Sequence, residues 1–241
     1  MMNLYTAKIG MITPSSNTTL EPVTMQMAVR LPVSIHFARL PVTRISLDPQ
    51  DLSQFTEDRM LVAARLLADA HVDLIVWNGT SAGWLGESHD RELCQRITAA
   101  TGVRATTTTL LQWQAFDALG AQRIGLAVPY QEDVAGKIRQ TYQQAGYYVV
   151  HWRALGICDN VAFSQVPEET IRNMVREVSR NVDAISIYCT NFPGAPLVES
   201  LEQELGVPIV DSVTMTLWGA LQQLGVSSQI TGWGRLMQGS R

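Results

Sequence analysis

Short apolar runs and amphipathic segments alternate along this chain, separated by turns rich in proline, glycine and small polar residues. Runs of aliphatic and β-branched residues predict buried strands, whereas apolar residues repeated every three or four positions predict helices. The predicted strands lie within 8–13, 34–40, 73–79, 124–128, 147–152 and 183–189. The predicted helices lie within 55–70, 93–100, 111–120, 134–146, 167–179 and 217–225. This alternation predicts an α/β fold with mainly parallel sheets.

The two parts of the chain resemble each other. Residues 73–81 and 183–191 share one form, an acidic residue followed by an apolar run and a small polar turn, and 8–14 likewise matches 123–129. Repeats of this kind predict a duplicated α/β unit. We expect the first half to contain residues 1–118 and 225–241, and the second half to contain 119–224.

Composition limits the classes of ligand. The 241 residues are 46% hydrophobic and carry a formal net charge of −4, so no basic face is predicted for nucleic acid. No apolar run reaches the length of a membrane span, and the amino terminus lacks a signal-peptide pattern. We therefore expect a cytoplasmic protein that binds a small molecule and neither nucleic acid nor membrane. The oligomeric state stays open, with a homo-oligomer among the options.

The three cysteines do not form a metal or disulfide pattern. Cys94, Cys158 and Cys189 are odd in number and include no CxxC pair, and the histidines form no metal motif. We expect no metal ion and no other cofactor. His89 lies among charged residues that predict a solvated helix start rather than a general base.

Cys189 is the candidate reactive residue. It ends an apolar run, and the carboxyl ends of parallel strands are where such sheets bind ligands. Exposed backbone N–H groups at that position favour an anion or a thiolate. The alternative is a buried structural cysteine, since free cysteines are often buried.

Polar turns after other predicted strands are candidate ligand-binding segments. Each has a purely structural alternative, as a helix cap, a flexible turn or a cover over the core. The candidates are Pro14 and Ser15 after the first strand, Gly79, Thr80 and Ser81 at the position equivalent to Cys189, and Tyr130 at the position equivalent to Ser15.

These motifs resemble the aspartate/glutamate racemase superfamily, and within it the branch of maleate cis-trans isomerase and arylmalonate decarboxylase. The resemblance covers almost the whole chain. The isomerase-like motifs are 14–21, 152–155 and 159–160, and the decarboxylase-like motifs are 79–81, 130–134, 155–157 and 232–236. The resemblance implies two pseudo-symmetric, Rossmann-like α/β halves, each with a mainly parallel sheet flanked by helices, and an active site in the cleft between them.

The resemblance also implies roles for individual residues. The resemblance implies two catalytic cysteines, one from each half, as in the racemases and maleate isomerases of this family. In this chain, Gly79 occupies the position of the cysteine expected in the first half. The resemblance therefore favours a decarboxylase in which Cys189 alone protonates an enediolate. Thr80, Ser81 and Tyr130 would donate to the retained carboxylate, and the departing carboxylate would contact Leu40, Val42 and Ile157. Asn17, Thr190 and Asn191 point to a small polar diacid rather than an arylmalonate, and Asn160 is a further expected substrate-binding residue.

Two other functions stay open at this point. One is an isomerase, or a relative in a catabolic pathway such as ectoine utilisation, which requires covalent attachment of the substrate to a cysteine. The other is a carboxylate-binding protein that does not turn its ligand over.

Overall fold

Two four-stranded parallel sheets form the core of the protein. A computed structural model describes residues 5–239. The first sheet contains β1 (Ala7–Pro14), β2 (Val33–Leu40), β3 (Leu74–Trp77) and β4 (Ala105–Thr107), in the order β2-β1-β3-β4. The second contains β5 (Arg123–Val128), β6 (Tyr148–Ala154), β7 (Ala184–Ile187) and β8 (Ile209–Asp211), in the order β6-β5-β7-β8. The identical strand orders confirm the predicted duplication.

Helices cover both faces of each sheet, as parallel sheets require. They are α1 (Leu20–Ala28), α2 (Pro49–Leu52), α3 (Glu57–Asp69), α4 (Ala82–Leu85), α5 (Glu87–Thr101), α6 (Thr108–Leu119), α7 (Glu132–Gln144), α8 (Asn160–Phe163), α9 (Glu168–Glu177), α10 (Val198–Leu205) and α11 (Ser212–Gln223). Short 3₁₀ turns are Ser53–Phe55, Ala195–Leu197 and Arg235–Gln238. The α/β class and the two-half arrangement predicted from the sequence are confirmed.

Several elements were missed or placed differently by the sequence pattern. The edge strands β4 and β8 are three residues long, too short for a periodic signal. The predicted turn 79–81 is followed directly by α4, which was not predicted, and then by the start of α5. His89 lies in the first turn of α5, the helix start predicted there, and is partly buried. Ser88 and Arg91 beside it are exposed, whereas Asp90 is fully buried.

The two halves meet through α6 and α11. The hydroxyl oxygens of Thr108 and Thr216 lie 2.9 Å apart across this contact. A Cβ atom on Gly219 would lie 2.6 Å from Cδ2 of Leu111, so glycine allows the close approach of the two helices. The carboxyl ends of both sheets are also linked by side-chain hydrogen bonds between the halves, such as that from Asn17 to Thr190.

The carboxyl-terminal segment contacts the second half. Arg235 N donates to Glu202 Oε2 at 2.7 Å, and Gly232 N donates to Glu199 Oε1 at 3.2 Å, both on α10. The sequence analysis assigned 225–241 to the first half. Within the described part, 225–239, Trp233 also packs against a cluster of Leu20, Ala195 and Val213, which belong to both halves, so the boundary between the halves stays a prediction. Between residues 5 and 239, no helix is long and apolar enough to cross a membrane.

Gly125 in β5 and Gly136 in α7 form a matched pair for testing this packing. A Cβ on Gly125 would lie 2.2 Å from the carbonyl oxygen of Val178, whereas a Cβ on Gly136 would meet no atom within 4 Å. We expect Gly125→Ala to lower the free energy of unfolding by about 1–3 kcal/mol, because backbone must move. Gly136→Ala should raise it by up to about 1 kcal/mol, because alanine favours a helix. Urea unfolding of both variants measures the difference, and equal stabilities would contradict the described packing.

Candidate active site

Cys189 lies just beyond the buried strand β7, and its side chain is almost completely withdrawn from solvent, at 3% exposed. Burial raises the pKa of the thiol to about 12, because a thiolate loses its hydration there. Hydrogen bonds from the Tyr130 hydroxyl and from the backbone N–H groups of Asn191 and Phe192 partly oppose this rise. The thiol therefore keeps its proton at neutral pH and is suited to act as an acid.

Tyr130 connects the thiol to the first half of the protein. Its hydroxyl lies 2.7 Å from Oγ1 of Thr80 and hydrogen bonds with Cys189. Its ring makes edge contacts with Trp84 and Phe163, with centroids 5.4 and 5.3 Å away. Burial, and then the neighbouring Cys189, raise the pKa of the phenol well above its usual value. The phenol is therefore a neutral donor held in place by aromatic packing.

The turn 79–81 places the Thr80 hydroxyl beside Tyr130 and the Ser81 hydroxyl beside Trp77. The backbone carbonyl of Thr80 accepts a hydrogen bond from the hydroxyl of Tyr188 at 3.2 Å, which fixes the turn. Ser81 Oγ accepts a hydrogen bond from Nε1 of Trp77 at 3.0 Å. Thr80, Tyr130 and Cys189 are thus hydrogen bonded in series, whereas Ser81 contacts the indole, and the roles of all four toward a substrate stay predictions.

The position equivalent to Cys189 in the first half has no room for a side chain. A Cβ on Gly79 would lie 2.3 Å from Cζ2 and 2.6 Å from Cε2 of Trp77. The indole is itself fully buried and packs against Phe55, with ring centroids 6.4 Å apart. A second thiol at this position would require the tryptophan ring to move.

Asn17, predicted as a ligand residue, makes contacts between and within the halves. Its Nδ2 donates to Oγ1 of Thr190 at 3.1 Å. Its Oδ1 accepts from the backbone N–H groups of Thr19 and Leu20, each at 3.0 Å, and so satisfies donors at the start of α1. Both polar atoms of this buried amide therefore have protein partners.

Asn191 and Asn160 form further hydrogen bonds between the two halves. Asn191 Oδ1 accepts from Thr18 N at 3.0 Å and from Thr19 N at 3.2 Å, while its Nδ2 donates to Asn160 O at 2.5 Å. Asn160 Nδ2 then donates to Ser16 Oγ at 2.6 Å. The polar residues predicted to bind substrate thus join the two halves in this structure, and their role toward a ligand stays a prediction.

Two loops bring the predicted apolar residues to the same edge of the molecule. Loop 41–47 follows β2 and loop 155–159 follows β6, and Ile45 N donates to Cys158 O at 2.8 Å between them. Ser15 is exposed, and its Oγ accepts from the backbone N–H of Val42 at 3.3 Å. Pro14 ends β1 in register with Leu40. Leu40 and Val42 are buried and Ile157 is partly buried.

Asp211 is a buried residue near this site that the sequence analysis missed. It ends β8 and is completely buried. Burial raises the pKa of its carboxyl group to about 7. Its sequence signal, an acidic residue before Ser212, is the ordinary signal of a helix cap. Among residues 5–239, no group of three His, Cys, Asp or Glu side chains is arranged to hold a metal ion.

Comparisons with known proteins agree with this fold and site. The profile of the family described as arylmalonate decarboxylase matches residues 9–237. A maleate isomerase of Nocardia farcinica is 30% identical, over 96% of this chain and 95% of its own. An arylmalonate decarboxylase of Bordetella bronchiseptica is 28% identical, over 73% of this chain and 76% of its own.

A solved structure shows the same fold with a modified cysteine. It is a cysteine-to-serine mutant of Nocardia farcinica maleate cis-trans isomerase with a covalently bound succinylcysteine intermediate. It superposes with a TM-score of 0.89 at 26% identity, covering 96% of this chain and 98% of the other.

Fold and site together define an α/β enzyme of two equivalent halves with a buried thiol between them. The chain belongs to the arylmalonate decarboxylase family, and it is an isomerase or a decarboxylase. The resemblance stated from the sequence is confirmed.

The contact between Gly79 and Trp77 is open to a double-mutant test. We expect Gly79→Ala to destabilise the protein by about 1–3 kcal/mol, because the added methyl group overlaps the indole. In a Trp77→Phe background, which lacks the crowding ring atoms, the same change should cost clearly less. Thermal unfolding of the four proteins measures the coupling. Additive effects would contradict the described contact.

Proposed function

We propose that this enzyme is a cofactor-independent decarboxylase of a small malonate-type diacid, with Cys189 as the donor of the proton. One observation carries the proposal: a buried, protonated thiol in one half is matched in the other half by a glycine covered by the Trp77 indole. A reaction that needs one proton on one face requires one thiol. A reaction that needs two thiols would require a second cysteine at position 79, which the Trp77 indole crowds.

The proposed chemistry has two steps. The bond between the central carbon and the departing carboxylate breaks, CO₂ leaves, and the electron pair moves into an enediolate on the retained carboxylate. Hydroxyl groups of Tyr130 and Thr80 donate hydrogen bonds to that developing charge, and one such donor is worth about 3 kcal/mol in comparable sites. Cys189 Sγ–H then protonates the central carbon, and the resulting thiolate regains a proton from water.

The protonation state of Cys189 favours this role. A nucleophilic cysteine reacts as its thiolate and is found where the pKa is lowered. Here burial raises the pKa of Cys189 to about 12. An enediolate is a much stronger base than a thiolate, so a weakly acidic thiol still transfers its proton readily.

The predicted apolar residues fit the departing group. Leu40 ends β2, Val42 lies on the loop that follows it, and Ile157 lies on the loop that follows β6, at the carboxyl edge of the two sheets. Contact with aliphatic side chains removes water from a carboxylate and disfavours its charge, which favours release as neutral CO₂. This assignment is part of the proposal.

The substrate is proposed to be small and polar. Asn17, Thr190 and Asn191 occupy the space between the two halves and are hydrogen bonded to each other or to neighbouring backbone. Large side chains at this position leave less room for an aryl group than glycine would. Their amide and hydroxyl groups can bind a second carboxylate by exchanging partners.

An isomerase is the second candidate. It is favoured by the Nocardia relative, which is 30% identical and named maleate isomerase, and by the covalent intermediate in the related structure. In this chain the covalent route would require Cys189 itself as nucleophile. Cys94 lies inside α5, where burial raises its pKa to about 12, and Cys158 lies in the loop before α8.

Product analysis in D₂O separates the two candidates. Purified protein is incubated with malonate, methylmalonate, phenylmalonate and maleate, and products are followed by proton NMR. We expect a monoacid with deuterium on its α-carbon from a malonate.

Activity should fall by at least about a hundredfold in Cys189→Ala, as expected for loss of a positioned acid. Cys158→Ala, a matched cysteine control, should stay active. Fumarate from maleate, without turnover of any malonate, would overturn the proposal in favour of the isomerase.

A further inference from the structure

Asp211 is a buried ionisable group that the proposed mechanism does not use. It ends β8 in register with Ile187 of β7, and Cys189 follows Ile187 by two residues. The carboxyl group therefore lies on the strand adjacent to the one that carries the thiol, at the same edge of the sheet.

One oxygen of Asp211 has an evident structural task. Oδ1 accepts hydrogen bonds from Val213 N at 2.8 Å and from Thr214 N at 3.2 Å, which caps α11. At the equivalent position of the first half, Thr107 caps α6 with a neutral hydroxyl that accepts from Leu110 N at 3.2 Å. Capping this pair of helices therefore requires neither a second oxygen nor a charge.

The other oxygen of Asp211 lies near Gly194, five residues after Cys189. Oδ2 is buried and has no hydrogen-bond partner within 5–239. A Cβ on Gly194 would lie 2.9 Å from it, so only a residue without a side chain leaves space for this oxygen. A buried carboxyl oxygen without a partner is energetically unfavourable, which makes a purely structural choice of aspartate over asparagine or serine hard to explain.

We propose that Asp211 is a positioning residue for Cys189, whose buried carboxylate increases the proton affinity of the sulfur through its electric field. The inference rests on the proposed role of Cys189 as an acid. A negative charge close to a sulfur atom in a poorly hydrated region disfavours the thiolate. Asp211 thus keeps the thiol protonated before transfer and promotes the return of a proton to the thiolate afterwards.

The local charges are consistent with this effect. Burial is the main cause of the raised pKa of Cys189, and the charge of Asp211 is a smaller contribution in the same direction. The three hydrogen-bond donors around the sulfur act in the opposite direction. Neither β7 nor α11 carries a charged side chain. The charged groups on the other elements packed against β8 are Asp117 of α6, Glu199, Glu202 and Glu204 of α10, and Arg235 of the last 3₁₀ turn.

The effect has a defined pH range. Burial raises the pKa of Asp211 to about 7, while the N–H groups of Val213 and Thr214 oppose the rise. Above that pH the carboxylate is charged and raises the pKa of Cys189. Below it the carboxyl group is neutral and this contribution disappears.

The test is the pH dependence of Cys189 alkylation by iodoacetamide in the full-length protein, followed by peptide mass spectrometry between pH 7 and 10. Asp211→Asn keeps an oxygen for the cap but removes the charge. We expect its profile to shift to lower pH, with alkylation at pH 9 faster by about three- to tenfold, since one pKa unit changes the thiolate fraction tenfold. Tyr130→Phe, which removes a donor to the sulfur, should shift the profile in the opposite direction.

Glu202→Gln is the matched control, because it removes another buried carboxyl group of the same half and should leave the profile unchanged. Asp211→Ser serves the same purpose as Asp211→Asn if the asparagine variant does not fold. If the pH profile of Cys189 alkylation in the folded Asp211 variant coincides with that of the wild-type protein, the inference is overturned. The assay contains no substrate, so its outcome is independent of whether the enzyme decarboxylates malonates.

Discussion

Withdrawal of the Cys189 sulfur from water is the constraint on which the rest of the site depends. Placed beyond β7 at 3% exposure, the thiol has its pKa raised to about 12. The groups that donate to the sulfur are the neutral phenol of Tyr130 and the backbone N–H groups of Asn191 and Phe192. None of these carries a positive charge that would offset the cost of a thiolate. A thiol in this environment is a poor nucleophile and a usable acid, which is why we propose a decarboxylation rather than an isomerisation.

Duplication supplied the architecture, and the two halves then diverged in chemistry. Both sheets have the same strand order, and the equivalent strands β3 and β7 are each followed by a small polar turn. In the second half that turn carries Cys189, whereas in the first half Gly79 leaves space that the Trp77 indole fills. A cysteine at position 79 would have to displace the Trp77 indole, which is packed in the core.

Much of the fold could be predicted because parallel strands buried on both faces give continuous apolar runs. The duplicated pattern also placed Cys189, Tyr130 and Thr80 at strand ends, where the fold brings them together. Contacts between distant segments had no local signal. The chain does not reveal that Asn17 reaches Thr190, or that Ser81 accepts from Trp77. Asp211 was missed because its strand has three residues and its sequence context is that of a helix cap.

The central claim is that one thiol delivers one proton to one face of the intermediate. The most direct measurement is chiral chromatography of the product from a malonate that bears two different substituents on its central carbon. The account predicts a large excess of one enantiomer, because Cys189 approaches the planar enediolate from one side and Trp77 excludes a second thiol from the equivalent position. A racemic product from the intact enzyme would contradict it, since protonation would then come from both faces.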